Sequence, residues 1–240
     1  MELTIDMPAG AAEASLAGSG RPGVLLFMDA IGLRPQIEAM AERIASWGYT
    51  VLAPNLFWRD GSAADLAPRG DLRDPQERER FFASGVMDRV RSLTPDLIRT
   101  DTRVWLDTLA DHADGSPVTV TGYCFGGRVA LRAAADFPDR IAAVGMFHTG
   151  GIVTDDPQSP HLDVPRVRAR VLAGHADNDH SNTPEQIAAF DQVLRDCGVE
   201  HRTSVYRGAP HGYTMADTSM FDEGAAERHY AELRELLASV

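Results

Sequence analysis

The hexapeptide Gly122-Tyr123-Cys124-Phe125-Gly126-Gly127 constrains this chain more than any other feature. It follows Val118-Thr119-Val120-Thr121, a run suited to a strand, and precedes an alanine-rich stretch to about Phe137, suited to a helix. A nucleophile on a tight strand-to-helix turn has strained backbone geometry. Side chains two positions either side would collide, and Gly122 and Gly126 occupy those places. The helix N-terminus beyond offers free N–H groups and partial positive charge. Both favour a thiolate at Cys124 and an oxyanion beside it, with the Phe125 N–H as one donor.

The rest of the chain repeats the same alternation. Val24-Leu25-Leu26-Phe27-Met28 is a continuous apolar run, as expected for a strand buried on both faces. Ile37, Met40, Ala41 and Ile44 follow at helical spacing, Gly48 stops that helix, and 49–53 is the next strand. Leu3 to Asp6 and Ala14 to Ala17 are expected to pair as a hairpin, with a turn at residues 18–23 after it. Residues 55–75 read as a long irregular loop, and 76–90 as one polar helix. Thr94-Pro95-Asp96 opens a helix that lays Leu97, Ile98, Trp105 and Leu109 on the core. Further strands are expected at 141–147, 171–173 and 202–206, a capped helix from Thr183, and a closing helix with Ala226, Tyr230, Leu233 and Leu237 on one face. The expectation is a single α/β domain over residues 1–240, a mostly parallel central sheet with helices on both faces.

Composition narrows the partners. A net charge of -12 disfavours nucleic acid, because phosphate binding needs clustered lysine and arginine. Anchoring at an anionic membrane is likewise not expected, and no apolar run approaches the roughly 20 residues that span a bilayer. The first residues lack the pattern of a signal peptide. The two cysteines, Cys124 and Cys197, make no disulfide framework, so a reducing, cytoplasmic setting is expected, as a monomer or homodimer. Cys197 continues the stripe Ile187, Phe190, Leu194 and reads as core.

A thiol with a pKa near about 8.5 needs a base to react well at neutral pH. His211, in Gly208-Ala209-Pro210-His211-Gly212 after the last strand, is placed for that role. His148 ends a strand and is expected near the pocket, whereas His161, His201 and His229 are expected at the surface. The orienting acid belongs in the loop Gly174-His175-Ala176-Asp177-Asn178-Asp179-His180, where Asp179 is favoured over Asp177. The order Cys, Asp, His is that of the α/β-hydrolases. The same loop could hold a metal through His175, Asp177, Asp179 and His180, but it lacks the established calcium and zinc patterns. No cofactor and no metal are expected.

These pieces together resemble the dienelactone hydrolase family, the carboxymethylenebutenolidases, of the α/β-hydrolase fold. The elbow, the Asp179 loop, Ala209-Pro210-His211-Gly212, the stretch Met28 to Pro35, and Gly48-Tyr49 with Pro54 to Phe57 carry the resemblance from about Pro22 onward. It implies hydrolysis of a small-molecule lactone or ester by Cys124, His211 and Asp179 through an acyl-enzyme. It also implies a second oxyanion donor at the Ala30 N–H, and an acid at Asp29 that bonds the resting thiol and so modulates it. The family's carboxylate-binding arginine, four residues after the histidine, is here Met215; Arg59, Arg69 or Arg128 are the possible substitutes. Other readings of the same site are a thioesterase or other acyl hydrolase, and a non-catalytic thiol sensor or binding protein.

Overall fold

The N-terminal segments pair as expected. Strands β1 (Glu2–Met7) and β2 (Gly10–Ala17) form an antiparallel hairpin with Leu3 opposite Ala14. A computed structural model describes residues 1–19, 22–114, 117–177 and 179–240. Gly20 and Arg21 of the expected turn, and Asn178 of the acid loop, lie outside the described residues.

Strand β2 also runs antiparallel to β4 (Thr50–Pro54), and every pair beyond these two is parallel. The parallel strands are β3 (Gly23–Phe27), β4, β5 (Val118–Tyr123), β6 (Ile141–Phe147), β7 (Arg170–Ala176) and β8 (His201–Tyr206). The order across the sheet is β1-β2-β4-β3-β5-β6-β7-β8. Strands β3, β4 and β5 are buried along their whole length, which is why their sequences run apolar or β-branched without alternation.

Helix α1 (Pro35–Ala45) buries Ile37, Met40, Ala41 and Ile44 against β2 and β4. The polar segment after β4 holds only a short helix, α2 (Ala63–Leu66). The single helix expected over 76–90 is instead two. Helix α3 (Pro75–Phe81) and α4 (Met87–Ser92) flank a wide π-helical turn, Phe82–Val86, where Gly85 takes φ 96°. Only glycine enters that region without strain, so Gly85 breaks the helix. Helix α5 (Pro95–His112) starts at the Thr94 cap and buries Ile98, Trp105 and Leu109. Its buried Asp101 binds Arg59 through two bonds, 2.6 and 2.7 Å, and accepts from Trp58 Nε1 at 3.0 Å. This ties the loop after β4 to α5.

Helix α6 (Phe125–Asp136) covers β3, β5 and β6 beside α5. Helix α7 (Pro184–Asp196) opens on a capping box of Thr183 and Gln186 and packs on the 3-10 turn Pro160–Arg166, which lies against α6. Helix α8 (Glu223–Leu237) packs on β6 and β7 and meets α1 through Arg43–Glu227 at 2.5 Å and the Trp47–Tyr230 edge contact. Among the described residues no helix is long and apolar enough to cross a membrane.

Two side chains depart from expectation. Cys197 is exposed, standing as the cap residue just past the end of α7 at Asp196 rather than within its buried stripe. His229 is fully buried, with its ring between Tyr123 Oη at 2.9 Å and the Ala226 carbonyl at 3.0 Å. It stands three residues after Ala226 and four before Leu233, so it shares their inward face. His201 and His161 are half-buried, His201 against Asp191 at 3.2 Å and His161 against Ser159 Oγ at 2.7 Å.

Helix α6 sits close against the end of β3. A Cβ at Gly126 would run into the carbonyls of Phe27 and Met28, and one at Gly122 into the carbonyl of Gly126. Gly126→Ala is therefore expected to lower stability by about 1–3 kcal/mol, the usual range for overpacking, as read from urea unfolding midpoints.

Candidate active site

Cys124 sits at φ 53° and ψ −120°, a region most residues avoid. Its N–H donates to the Phe147 carbonyl at 3.0 Å, which pins the turn to β6. Phe125 is the first residue of α6, so its N–H has no partner within the helix. Gly126 presses on the end of β3, which brings Met28, Asp29 and Ala30 to the same place. Ala30, Asp29, Cys124, His148 and His211 line one cavity of about 30 Å³. All of these lie past the carboxyl ends of parallel strands, the usual ligand position in open α/β sheets.

His211 stands in the loop after β8, as the sequence suggested. Its Nδ1 meets Asp179 Oδ2 at 2.7 Å. Asp179 also accepts from the Ser181 N–H at 2.8 Å and from Ser181 Oγ at 2.5 Å. The competing acid faces elsewhere: Asp177 Oδ2 accepts from the Gly208 N–H at 2.8 Å. For the metal alternative, no group of three or more His, Cys, Asp or Glu among the described residues is placed to hold a metal ion.

The charges reinforce this geometry. Burial alone would lower the His211 pKa, but the negative charge at Cys124, with the bonds to Asp179 and Cys124, raises it to about 10. Burial would raise the Asp179 pKa, yet the His211 and Ser181 bonds hold it below the ordinary carboxylate value. His148 is fully buried at φ 38°, with its ring edge-on to His211 at 5.4 Å and one nitrogen 2.8 Å from Thr214 Oγ1. Burial and the nearby His211 keep it neutral.

Asp29 lines the cavity, but both its oxygens are held by Arg34, at 2.6 and 3.1 Å. Oδ1 also accepts from the Ile31 N–H at 3.1 Å, as a turn aspartate does. Arg34 was not singled out from the sequence. It is buried, and it reaches Asp217 at 2.6 Å and the Met215 sulfur at 3.3 Å. A guanidinium thus stands at Met215 after all, delivered from the β3–α1 loop. The available signal was an arginine five residues after Asp29 in an otherwise apolar segment. Of the three arginines named as substitutes, Arg59 is committed to Asp101, Arg69 lines a separate cleft beside Glu77 and Arg80, and Arg128 stands on α6 one turn past Cys124.

A family model described as the dienelactone hydrolase family matches residues 10–240. A Salmonella typhi protein named "Putative carboxymethylenebutenolidase" is 26% identical over 240 residues, covering 97% of this chain and 83% of its own length. The crystal structure of a "Putative Dienelactone Hydrolase" from Klebsiella pneumoniae superposes with a TM-score of 0.82 at 20% identity, covering 100% of this chain and 98% of that one. A dienelactone hydrolase structure from Anabaena variabilis gives 0.63 at 20% identity, covering 99% and 95%. The sheet and its helices are thus those of the α/β-hydrolase fold.

A histidine that keeps its proton to about pH 10 in the folded chain, against about 6.5 in the unfolded one, adds stability that is complete below pH 6.5 and fades toward pH 10. Ring C–H resonances of His211 followed by NMR should titrate near 10, and Cys124→Ala should move them down because the sulfur's charge is lost.

Proposed function

This chain belongs to the dienelactone hydrolase family, and on that footing we propose that it hydrolyses a lactone or carboxylic ester through Cys124, His211 and Asp179. One observation carries this reading: His211 is held by Asp179 at 2.7 Å and lines the same cavity as Cys124. A histidine held between an orienting carboxylate and a cysteine is the arrangement expected of a nucleophile and its base.

In the proposed cycle, the Cys124 thiolate adds to the ester carbonyl carbon, and the carbonyl electron pair moves to oxygen. The N–H groups of Phe125 and Ala30 bind that oxyanion. The intermediate collapses, the C–O bond to the leaving alcohol breaks, and His211 gives the alkoxide its proton. A thioester to Cys124 remains. His211, now neutral and oriented by Asp179, takes a proton from water as the water attacks the thioester. The C–S bond then breaks, the carboxylic acid product leaves and gives its proton to solvent, and the thiolate–imidazolium pair is restored. No external cofactor enters any of these steps.

Asp29 enters the scheme as the acid that modulates the thiol. With its carboxylate on Arg34, Cys124 is left to His211, so modulation here requires the Asp29–Arg34 pair to open.

Cys124→Ala is expected to cut hydrolysis of p-nitrophenyl acetate by about a thousandfold or more while the protein stays folded by circular dichroism. Rapid quenching of the wild type should trap an acetyl group on Cys124 by mass spectrometry. Retained turnover in the variant sinks the assignment. Asp179→Asn should lower kcat by about a hundredfold or more, because the imidazole loses its orienting anion.

A further inference from the structure

Given the hydrolase reading above, one group beside the triad has no step of its own: the hydroxyl of Ser181. It stands two residues after Asp179 and bonds the carboxylate that orients His211. The two oxygens of that carboxylate are divided between the two partners. Oδ2 faces His211 Nδ1 at 2.7 Å, whereas Oδ1 accepts from the Ser181 N–H at 2.8 Å and from the Ser181 hydroxyl at 2.5 Å. The torsion that turns an aspartate carboxylate is soft, so the contact to His211 alone does not fix its plane. Two donors on the opposite oxygen do. The same hydroxyl oxygen lies 3.4 Å from His211 Nδ1, so serine, acid and base form one small ring of contacts.

Ser181 itself has a set place. Its carbonyl accepts from the Gly151 N–H at 2.9 Å. The next residue, Asn182, is buried, and its Oδ1 accepts from the Ile152 N–H at 3.1 Å while its Nδ2 donates to the Thr149 carbonyl. The Asn182 N–H also bonds the Asp179 carbonyl at 3.0 Å. The acid loop is thereby fastened to residues 149–152, which follow β6 and pass beside the His211 ring. That approach is close: a Cβ on Gly150 would fall 2.6 Å from Ser181 Oγ and 3.4 Å from His211 Cε1.

Burial separates the roles. The Asp179 side chain keeps 4% of its surface, whereas Ser181 is exposed. A nearly buried carboxylate is thus held by a serine at the surface, and Ser181 does not line the cavity at Cys124. Donors to a carboxylate favour its charged form. Burial pushes the Asp179 pKa up, and the bonds from His211 and Ser181 bring it below the ordinary value.

We propose that Ser181 is a positioning residue of the triad: its hydroxyl and N–H hold the Asp179 carboxylate with Oδ2 turned to His211. Ser181 acts through Asp179 and not on the substrate. As His211 gains and loses a proton at its other nitrogen, the Nδ1–H stays on Oδ2 and the ring keeps its aim at the sulfur and the attacking water.

The test is a double-mutant cycle on p-nitrophenyl acetate hydrolysis. Ser181→Ala should lower kcat about tenfold, the size of one hydrogen bond to a charged group, and leave KM unchanged. Ser181→Thr keeps the hydroxyl and should restore most of the loss. In an Asp179→Asn background, Ser181→Ala should cost less than about twofold, because the charge it holds is gone. An unchanged kcat in Ser181→Ala, or a drop of the same size in both backgrounds, overturns the proposal. The Asp179 carboxyl carbon followed by NMR reads the same contact without turnover. Its titration midpoint should be higher in Ser181→Ala than in the wild type, and an unmoved midpoint also overturns it. If the wild type does not hydrolyse the ester, the hydrolase reading fails, and the carboxyl titration still decides whether Ser181 holds the acid.

Discussion

The Cα of Gly126 rests against the carbonyls of Phe27 and Met28, and a side chain there has no room. That backbone-to-backbone contact sets the distance between α6 and β3. It lets the turn at Cys124 close at φ 53°, and it puts residues 28–30 beside the first turn of the helix. The N–H groups assigned to the oxyanion come from these two segments. Strain at Cys124 persists because neighbouring structure over-determines it: β5 and β6 hold one side, and the Cys124 N–H is tied to Phe147.

Around this joint the charges are arranged in two groups. His211 lies between Asp179 and Cys124, and its proton is retained by both. Arg34 lies between Asp29 and Asp217, so Asp29 is neutralised within the same cavity wall. Carboxylates at these sites are matched by a buried arginine and a half-buried histidine although the chain carries a net charge of -12. Unpaired burial of any one of them would be costly, and pairing fixes their orientation.

Much of this was legible because it is local. Burial on both faces produces continuous apolar strands such as β3, and a capping box or a proline after threonine marks a helix start wherever the helix packs. The elbow was legible for the same reason: its glycines answer clashes within and next to the turn itself. Asp179 and Asp177 were harder to separate, since both sit in one loop two residues apart. Only the position of the β8 loop gives Asp179 to His211 and Asp177 to the Gly208 N–H. His229 was misjudged because a histidine reads as polar, although its helical spacing placed it among Ala226 and Leu233. The break at Gly85 was missed because one glycine in a polar helical pattern carries no mark of whether the helix continues through it.

The sequence by itself determined the alternation of strand and helix, the strained turn at Cys124, and the order of Cys124, Asp179 and His211. Each follows from spacing and steric limits along the chain. The tertiary structure decided which acid meets His211, and that Arg34 rather than a residue after His211 stands at Met215. Those outcomes depend on segments far apart in the chain meeting at one end of the sheet. A charge finds its counter-ion by distance in space, and sequence spacing does not carry that distance across separate loops.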